Sequence, residues 1–178
     1  MELAEEDQPA ADPEPVPSRL HRAKGQCAFL SGTPGLGKTH LSIALGRAAC
    51  SSGYSVLFTT AINMIQTLSA AASVGAGELQ HVMQRYLKPA LLLVDEVGYL
   101  PIGKLGPDLL FHVIPQRYER GSIVLTTNRP FKKWAQSFNN DSTLTSALLD
   151  RLLHHAEVVV IEGAGFRGKD LVETDPAA

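Results

Sequence analysis

Between Gln26 and Ile161, short apolar runs alternate with stretches whose apolar residues recur three and four positions apart. The runs Cys27–Ser31, Ser55–Thr59, Leu91–Asp95, Ser122–Thr126 and Glu157–Ile161 are too short for helices, and each predicts a strand. Helical periodicity predicts Lys38–Ala49, with Leu41, Ile43, Ala44 and Leu45 on its apolar side. It also predicts Pro107–Tyr118, with Leu109, Leu110, His112, Val113 and Ile114 in its middle, and Thr143–His154. Ala61–Ala71 and Glu78–Tyr86 predict two shorter helices around a flexible Val74-Gly75-Ala76-Gly77. No internal repeat is visible.

Strands that are apolar throughout, rather than alternating, imply burial on both faces. Strands that alternate with helices imply right-handed crossovers and a parallel sheet. The pattern therefore predicts an α/β fold, a three-layer sandwich around a five-stranded parallel sheet. Its ligand should lie beyond the carboxyl ends of the strands.

The first candidate chemistry lies at such an end. Gly32-Thr33-Pro34-Gly35-Leu36-Gly37-Lys38-Thr39 follows the first strand and opens the first helix, matching the G-x-x-x-x-G-K-[ST] phosphate loop. Glycines let the loop curl so that backbone N–H groups face phosphate oxygens, and the helix adds its positive amino end. Lys38 would supply a cation for the β- and γ-phosphates, and the Thr39 hydroxyl a Mg²⁺ ligand. His40 completes the nucleotide-binding stretch, although its place on the helix also suits a structural role.

Asp95-Glu96 ends the apolar run Leu91–Val94, on the same sheet edge as the loop. Adjacent strand residues face opposite ways, so one carboxylate can hold Mg²⁺ while the other reaches a water. Asp95 is assigned to Mg²⁺, mostly through water ligands, and Glu96 to polarising the attacking water. Asp95-Glu96-Val97-Gly98 also has the D-x-x-G spacing of GTPases, but no Asn-Lys-x-Asp guanine-reading segment accompanies it. ATP with Mg²⁺ is the expected cofactor pair, and a Mg-dependent P-loop ATP hydrolase the expected enzyme.

Composition narrows the setting. The chain has 178 residues, 44% of them apolar, enough for one domain with a real core. Two cysteines, Cys27 and Cys50, suit neither a disulfide framework nor a zinc site. His154-His155 has no third ligand nearby. The amino terminus lacks the apolar stretch of a signal peptide, and runs such as Val158–Ile161 are far too short to span a bilayer. A soluble, cytoplasmic protein without a membrane partner is expected. Residues 1–17 carry six acids, four prolines and no Lys or Arg, which predicts a disordered arm. Residues 18–167 carry 15 Lys or Arg against nine Asp or Glu and form the predicted core, with 168–178 a flexible tail. A moderately basic core suits a partner bearing phosphates.

Four stretches carry a family likeness: GTPGLGKTHLSIALG, LLLVDEVGYLP, QRYERGSIVLTTNRPF with Trp134, and ALLDRLLHHAEVVVIEG. In them the chain, from about Gln26 to Lys169, resembles the IstB-like ATP-binding proteins, helpers of insertion-sequence transposases. It also resembles their relatives, the DnaC-like helicase loaders; both belong to the AAA+ superfamily. The resemblance implies an AAA+ core without the helical lid and a homo-oligomer assembled with ATP. It further implies DNA together with a transposase, or alternatively a helicase, as partner. A remnant that binds nucleotide without turnover is the third reading. Asn128 resembles the residue that hydrogen-bonds the γ-phosphate or attacking water, and Arg151 the finger offered to a neighbouring subunit. Arg167, in Gly163-Ala164-Gly165-Phe166-Arg167, resembles a nucleotide-sensing arginine, with Gly165 and Phe166 where Ser and Tyr are usual. Arg85 and Lys88 lie on the helical insertion that faces DNA in AAA+ initiators. Lys132-Lys133-Trp134 suits either stacking on a base or, more commonly for such a Trp, packing a loop onto the core.

Overall fold

The computed structural model describes residues 27–98, 106–117, 120–134, 146, 149–150, 153, 156–163 and 165. Five strands form one sheet: β1 (Cys27–Ser31), β2 (Val56–Thr60), β3 (Leu91–Asp95), β4 (Ser122–Thr127) and β5 (Ala156–Val160). Their spatial order is β2-β3-β4-β1-β5, and every pairing is parallel. The described helices are α1 (Lys38–Ser51), α2 (Ala61–Val74), α3 (Ala76–Leu87) and α4 (Gly106–Arg117). The strand bounds agree with the sequence pattern to within one residue. The predicted helix Thr143–His154 falls largely outside the described residues.

Burial on both faces holds for the three inner strands. Every residue of β3 and β4 is buried, and all of β1 but Ser31. It fails for β2 and β5, where Phe58, Val158, Val159 and Val160 are exposed. Among the described residues these two strands lie at the sheet edges, with a neighbour on one side only. Their Val and Phe content reflects β-propensity more than burial.

Each sheet face carries its own layer. On one side Cys27, Phe29, Leu92, Val94, Ile123 and Leu125 meet Met64 and Leu68 of α2, Met83 and Tyr86 of α3, and Leu110 and Val113 of α4. Fully burying such a side chain stabilises the fold by about 1.5–3 kcal/mol, so this face holds most of the apolar driving force. On the other side Ala28, Leu30, Leu91, Leu93 and Val124 meet Ala49 of α1. The predicted apolar side of α1 is not its inward side. Leu41 and Ile43 are exposed, whereas Lys38, Ser42, Gly46 and Ala49 are buried. Small residues let the helix lie close, and a Cβ on Gly46 would sit 2.7 Å from Leu93 Cδ1.

The helical pair between β2 and β3 is longer than its pattern suggests. Thr60 caps α2, its hydroxyl accepting the Asn63 N–H at 3.2 Å. Gly75 alone both ends α2 and opens α3, so the predicted four-residue flexible joint is a single residue. After β4 a short 3₁₀ turn, Phe131–Lys133, delivers Trp134 into the core. Its ring is fully buried, with edge contacts to Phe29 and Phe131 at centroid distances of 5.9 and 5.3 Å. Trp134 is therefore a packing residue and presents no face to a base, while Lys132 and Lys133 are exposed.

Candidate functional site

The strand order sets the site. β4 lies between β1, which feeds the glycine loop, and β3, which ends in Asp95. Leu30 of β1 is level with Thr126 of β4, and Val94 of β3 with Leu125. The carboxyl ends of three adjacent strands thus bring Gly32–Thr39, Asp95 and Thr126–Asn128 to one edge.

The loop ends at Gly37, whose φ of 80° lies in the left-handed region open to glycine at little cost. Among the described residues no side chain caps the amino end of α1, and its first turn carries no acid. Its leading N–H groups and positive dipole end are left for an anion. Lys38, the first helical residue, is 8% exposed. Its ammonium donates to the carbonyls of Gly32 at 2.8 Å and Thr33 at 2.6 Å, folding back on the loop. Burial pulls this amine below its usual range, and the charge of Asp95 opposes that pull. The end of β5 braces the loop: Ile161 N–H donates to Ser31 O at 2.7 Å, and a Cβ on Gly32 would sit 2.3 Å from Ile161 O. Gly165 lies against the loop as well, where a Cβ would meet Pro34 O at 3.0 Å. Arg167 and Arg151 lie outside the described residues. His40 is exposed on the first turn of α1.

Across from the loop, the Thr39 hydroxyl lies 2.9 and 3.1 Å from the two oxygens of Asp95. Asp95 is buried, and its Oδ1 also accepts from the Thr126 hydroxyl. Glu96 does not continue the strand. Its φ is 60°, left-handed for a non-glycine residue, and it is exposed. The divergence of the two carboxylates therefore comes from this turn, not from the strand alternation expected from sequence. Strain of this kind, about 1–3 kcal/mol, persists only where surrounding contacts impose it. Here Glu96 N–H donates to Thr126 Oγ1 at 3.0 Å and Val97 N–H to Thr126 O at 2.9 Å, while the Thr127 hydroxyl donates to Val97 O at 2.8 Å.

Asn128 follows β4, and its buried Oδ1 has no hydrogen-bond partner. A buried orphan acceptor is costly, about 1–3 kcal/mol, and suits a site that a donor completes. The donor set also fits a hard divalent ion. Thr39 and Asp95 offer oxygens only, and Mg²⁺ commonly takes one or two protein oxygens together with water and phosphate. Among the described residues no group of three or more His, Cys, Asp or Glu comes together, so a protein-only cage is not on offer.

Thr126, Thr127 and Arg117 lie in the family stretch QRYERGSIVLTTNRPF, but the sequence assigns none of them a role. The two threonines gain meaning only once β4 is known to lie beside β3. Arg117 closes α4 at the opposite end of the sheet and is 1% exposed. Its guanidinium donates to the carbonyls of Tyr86 at 2.7 Å, Leu87 at 3.2 Å, Pro89 at 2.9 Å and Ser122 at 2.7 Å. Burial pulls it down to about 10, so it remains a cation at neutral pH.

Comparison with known proteins adds to this geometry. The IstB-like ATP binding protein family matches residues 21–174. The ATP-binding protein of insertion sequence IS21 from Pseudomonas aeruginosa is 40% identical over 147 residues, covering 83% of this chain and 54% of that protein. The corresponding protein of IS232 from Bacillus thuringiensis subsp. berliner is 42% identical over 139 residues, covering 78% of this chain and 54% of that one. The chain thus spans about half the length of these relatives. Among solved structures, AMPPCP-bound DnaA from Aquifex aeolicus superposes with a TM-score of 0.66 at 26% identity, covering 82% of this chain and 42% of that one. The DnaC helicase loader superposes with a TM-score of 0.63 at 22% identity, covering 79% and 80%, and shares the fold. No described helix is long and apolar enough to cross a membrane.

Proposed function

Because the chain belongs to the IstB-like ATP binding protein family, an AAA+ P-loop group, we propose that it is a Mg²⁺-dependent ATPase that assists transposition on DNA. The observation that carries the reading is the Thr39–Asp95 contact, at 2.9 and 3.1 Å, beside the loop that holds Lys38. In a P-loop enzyme Thr39 and Asp95, so placed, would hold Mg²⁺ beside the phosphate oxygens of the nucleotide. When bound, Mg²⁺ neutralises charge on those oxygens.

The remaining work falls to the chain itself. The loop Gly32–Gly37 and the amino end of α1 bind the phosphates, with His40 at their margin. Lys38 exchanges its two loop carbonyls for phosphate oxygens. Glu96 takes a proton from the attacking water, and Asn128, with its vacant amide oxygen, orients that water. Arg151, supplied to a neighbouring copy, stabilises charge on the transferring group, which makes turnover depend on assembly with ATP. Arg167 follows the segment that lies on the loop and senses the nucleotide. The basic core provides phosphate contacts for DNA and seats a transposase partner. The helicase-loader reading rests on likeness of fold.

The test is Glu96→Gln, which keeps the hydrogen-bonding shape and removes the base. It should bind ATP normally and lose about 10²–10⁴-fold in turnover. Unchanged turnover overturns the assignment. Mixing Glu96→Gln with Arg151→Ala should restore part of the activity at mixed interfaces. No recovery, where mixed oligomers demonstrably form, rejects Arg151 as a finger acting in trans. Particle mass in solution with ATP and DNA, compared with ADP, tests assembly.

A further inference from the structure

Thr126 stands between the two acidic residues and touches both. It is 3% exposed, and Asp95 is 5% exposed. A threonine hydroxyl has one proton to give and lone pairs to receive with. The neighbours fix which does which. An ionised carboxylate only accepts, so the proton goes to Asp95 Oδ1. A backbone N–H only donates, so the Glu96 N–H at 3.0 Å fills the accepting side. One hydroxyl therefore couples the side chain of Asp95 to the backbone of Glu96. The Thr126 carbonyl takes the next N–H, that of Val97, at 2.9 Å.

We infer that Thr126 is a positioning residue for the nucleotide site, acting on Mg²⁺ through Asp95 and on the attacking water through Glu96; this rests on the reading given above. By holding Oδ1, Thr126 fixes the rotation of the carboxylate and leaves Oδ2 directed at Thr39, 2.9 Å away. By accepting the Glu96 N–H it holds that residue at φ 60°, the turn that swings its side chain out of the strand direction. The two acids are then not set independently. A shift of Asp95 when the ion binds is transmitted through Thr126 to the peptide that aims Glu96. Because the Thr126 hydroxyl is already bonded on both sides, its role is orientation rather than contact with the nucleotide.

Thr126→Val keeps the shape and removes the hydroxyl; Thr126→Ser keeps the hydroxyl. A fluorescent ATP analogue, titrated with MgCl₂, reports the Mg²⁺ concentration at which nucleotide binding tightens, without any need for turnover. Hydrogen-bonded partners of metal ligands are commonly worth about 10–100-fold in metal affinity or activity. Thr126→Val should bind the analogue without Mg²⁺ to within about twofold of the parent protein, and should need about tenfold more Mg²⁺. Its kcat should fall by a similar factor with little change in KM, and Thr126→Ser should recover both. A Mg²⁺ midpoint and kcat equal to those of the parent overturn the inference. So does a Ser variant as defective as Val, or a parent protein whose nucleotide affinity ignores Mg²⁺. If the parent binds Mg-nucleotide but never hydrolyses it, the ATPase reading fails while the Mg²⁺ midpoint still decides the role of Thr126. Should Thr126→Val not fold, Thr126→Ala is held to the same outcomes.

Discussion

The two ends of the β3–β4 pair both bury a charge, and they treat it in opposite ways. At the carboxyl end Asp95 meets side-chain hydroxyls, those of Thr39 and Thr126. The Thr39 hydroxyl can rotate and change partners, whereas that of Thr126 is held on both sides. Nearby, Lys38 rests on loop carbonyls and Asn128 Oδ1 has no partner. At the amino end Arg117 meets, among the described residues, only backbone carbonyls, which have no such freedom. Its fork joins the end of α3, the entry to β3 and the start of β4. A planar guanidinium with five fixed donors suits that task, and a lysine does not. The contrast separates a charge kept ready for exchange from a charge used as a fastener.

The largest expected effect breaks the fastener. Arg117→Met removes the donors of the Tyr86 and Pro89 carbonyls and should cost about 3–5 kcal/mol in urea denaturation. Nucleotide affinity of the folded fraction should stay within about twofold, since no loop contact is lost. Arg117→Lys should recover only part of the stability. A variant as stable as the parent would mean the carbonyls find water instead.

A smaller effect tests what stiffens the carboxyl end. Gly98 has φ 79°, and a Cβ there would lie 3.0 Å from the Trp134 indole nitrogen. Gly98→Ala should cost about 1–3 kcal/mol, read as a lower denaturation midpoint. An unchanged midpoint would show that Trp134 yields easily and that packing does not hold this turn.

The third effect has the opposite sign. Glu96→Gly relieves a left-handed non-glycine residue and should raise stability by about 0.5–1 kcal/mol. Turnover should be lost in the same protein. Stability and activity would then oppose each other at the carboxyl end, where the amino end carries stability alone. Loss of both would place the strain elsewhere.

The smallest perturbation is chemical. Burial pushes the Cys27 thiol up to about 12, so at pH 8 it is protonated, whereas Cys50 is exposed. A disulfide reagent should label one thiol per folded chain at pH 8 and the second only on unfolding. Two fast thiols would mean that the amino end of β1 opens readily.

How much of this was readable beforehand follows from the range of each signal. The phosphate loop, Leu91–Asp95 and the inner strands are local patterns, and they stand where the pattern puts them. The outward turn of Leu41 and Ile43 was not readable, because a helix's buried side is chosen by its partner. α1 packs on the sheet through Ser42, Gly46 and Ala49, where closeness outweighs apolar bulk. Edge strands β2 and β5 read as buried because composition reports propensity, not neighbours. Thr126 and Arg117 carried no assigned role for a related reason: the partners of their side chains lie 30–31 and, apart from Ser122, 27–31 residues away in the chain. The left-handed turn at Glu96 is likewise imposed by Thr126 from the adjacent strand.

The central place of β1 has a consequence for how the chain comes to be made. Of the described strands β1 is the first to leave the ribosome, yet both its neighbours, β4 and β5, come late. Roughly a hundred residues separate Cys27 from its partner Ile123, and such distant pairing is slow because the intervening chain must first be closed. At about 5–20 residues per second, β1 waits on the order of 5–20 s for β4 to be synthesised. Through that interval the strand that carries the glycine loop has neither neighbour to pair with. Nascent chains arrested before Ser122 should therefore fail to retain ATP, and chains arrested after β5 has emerged should hold it.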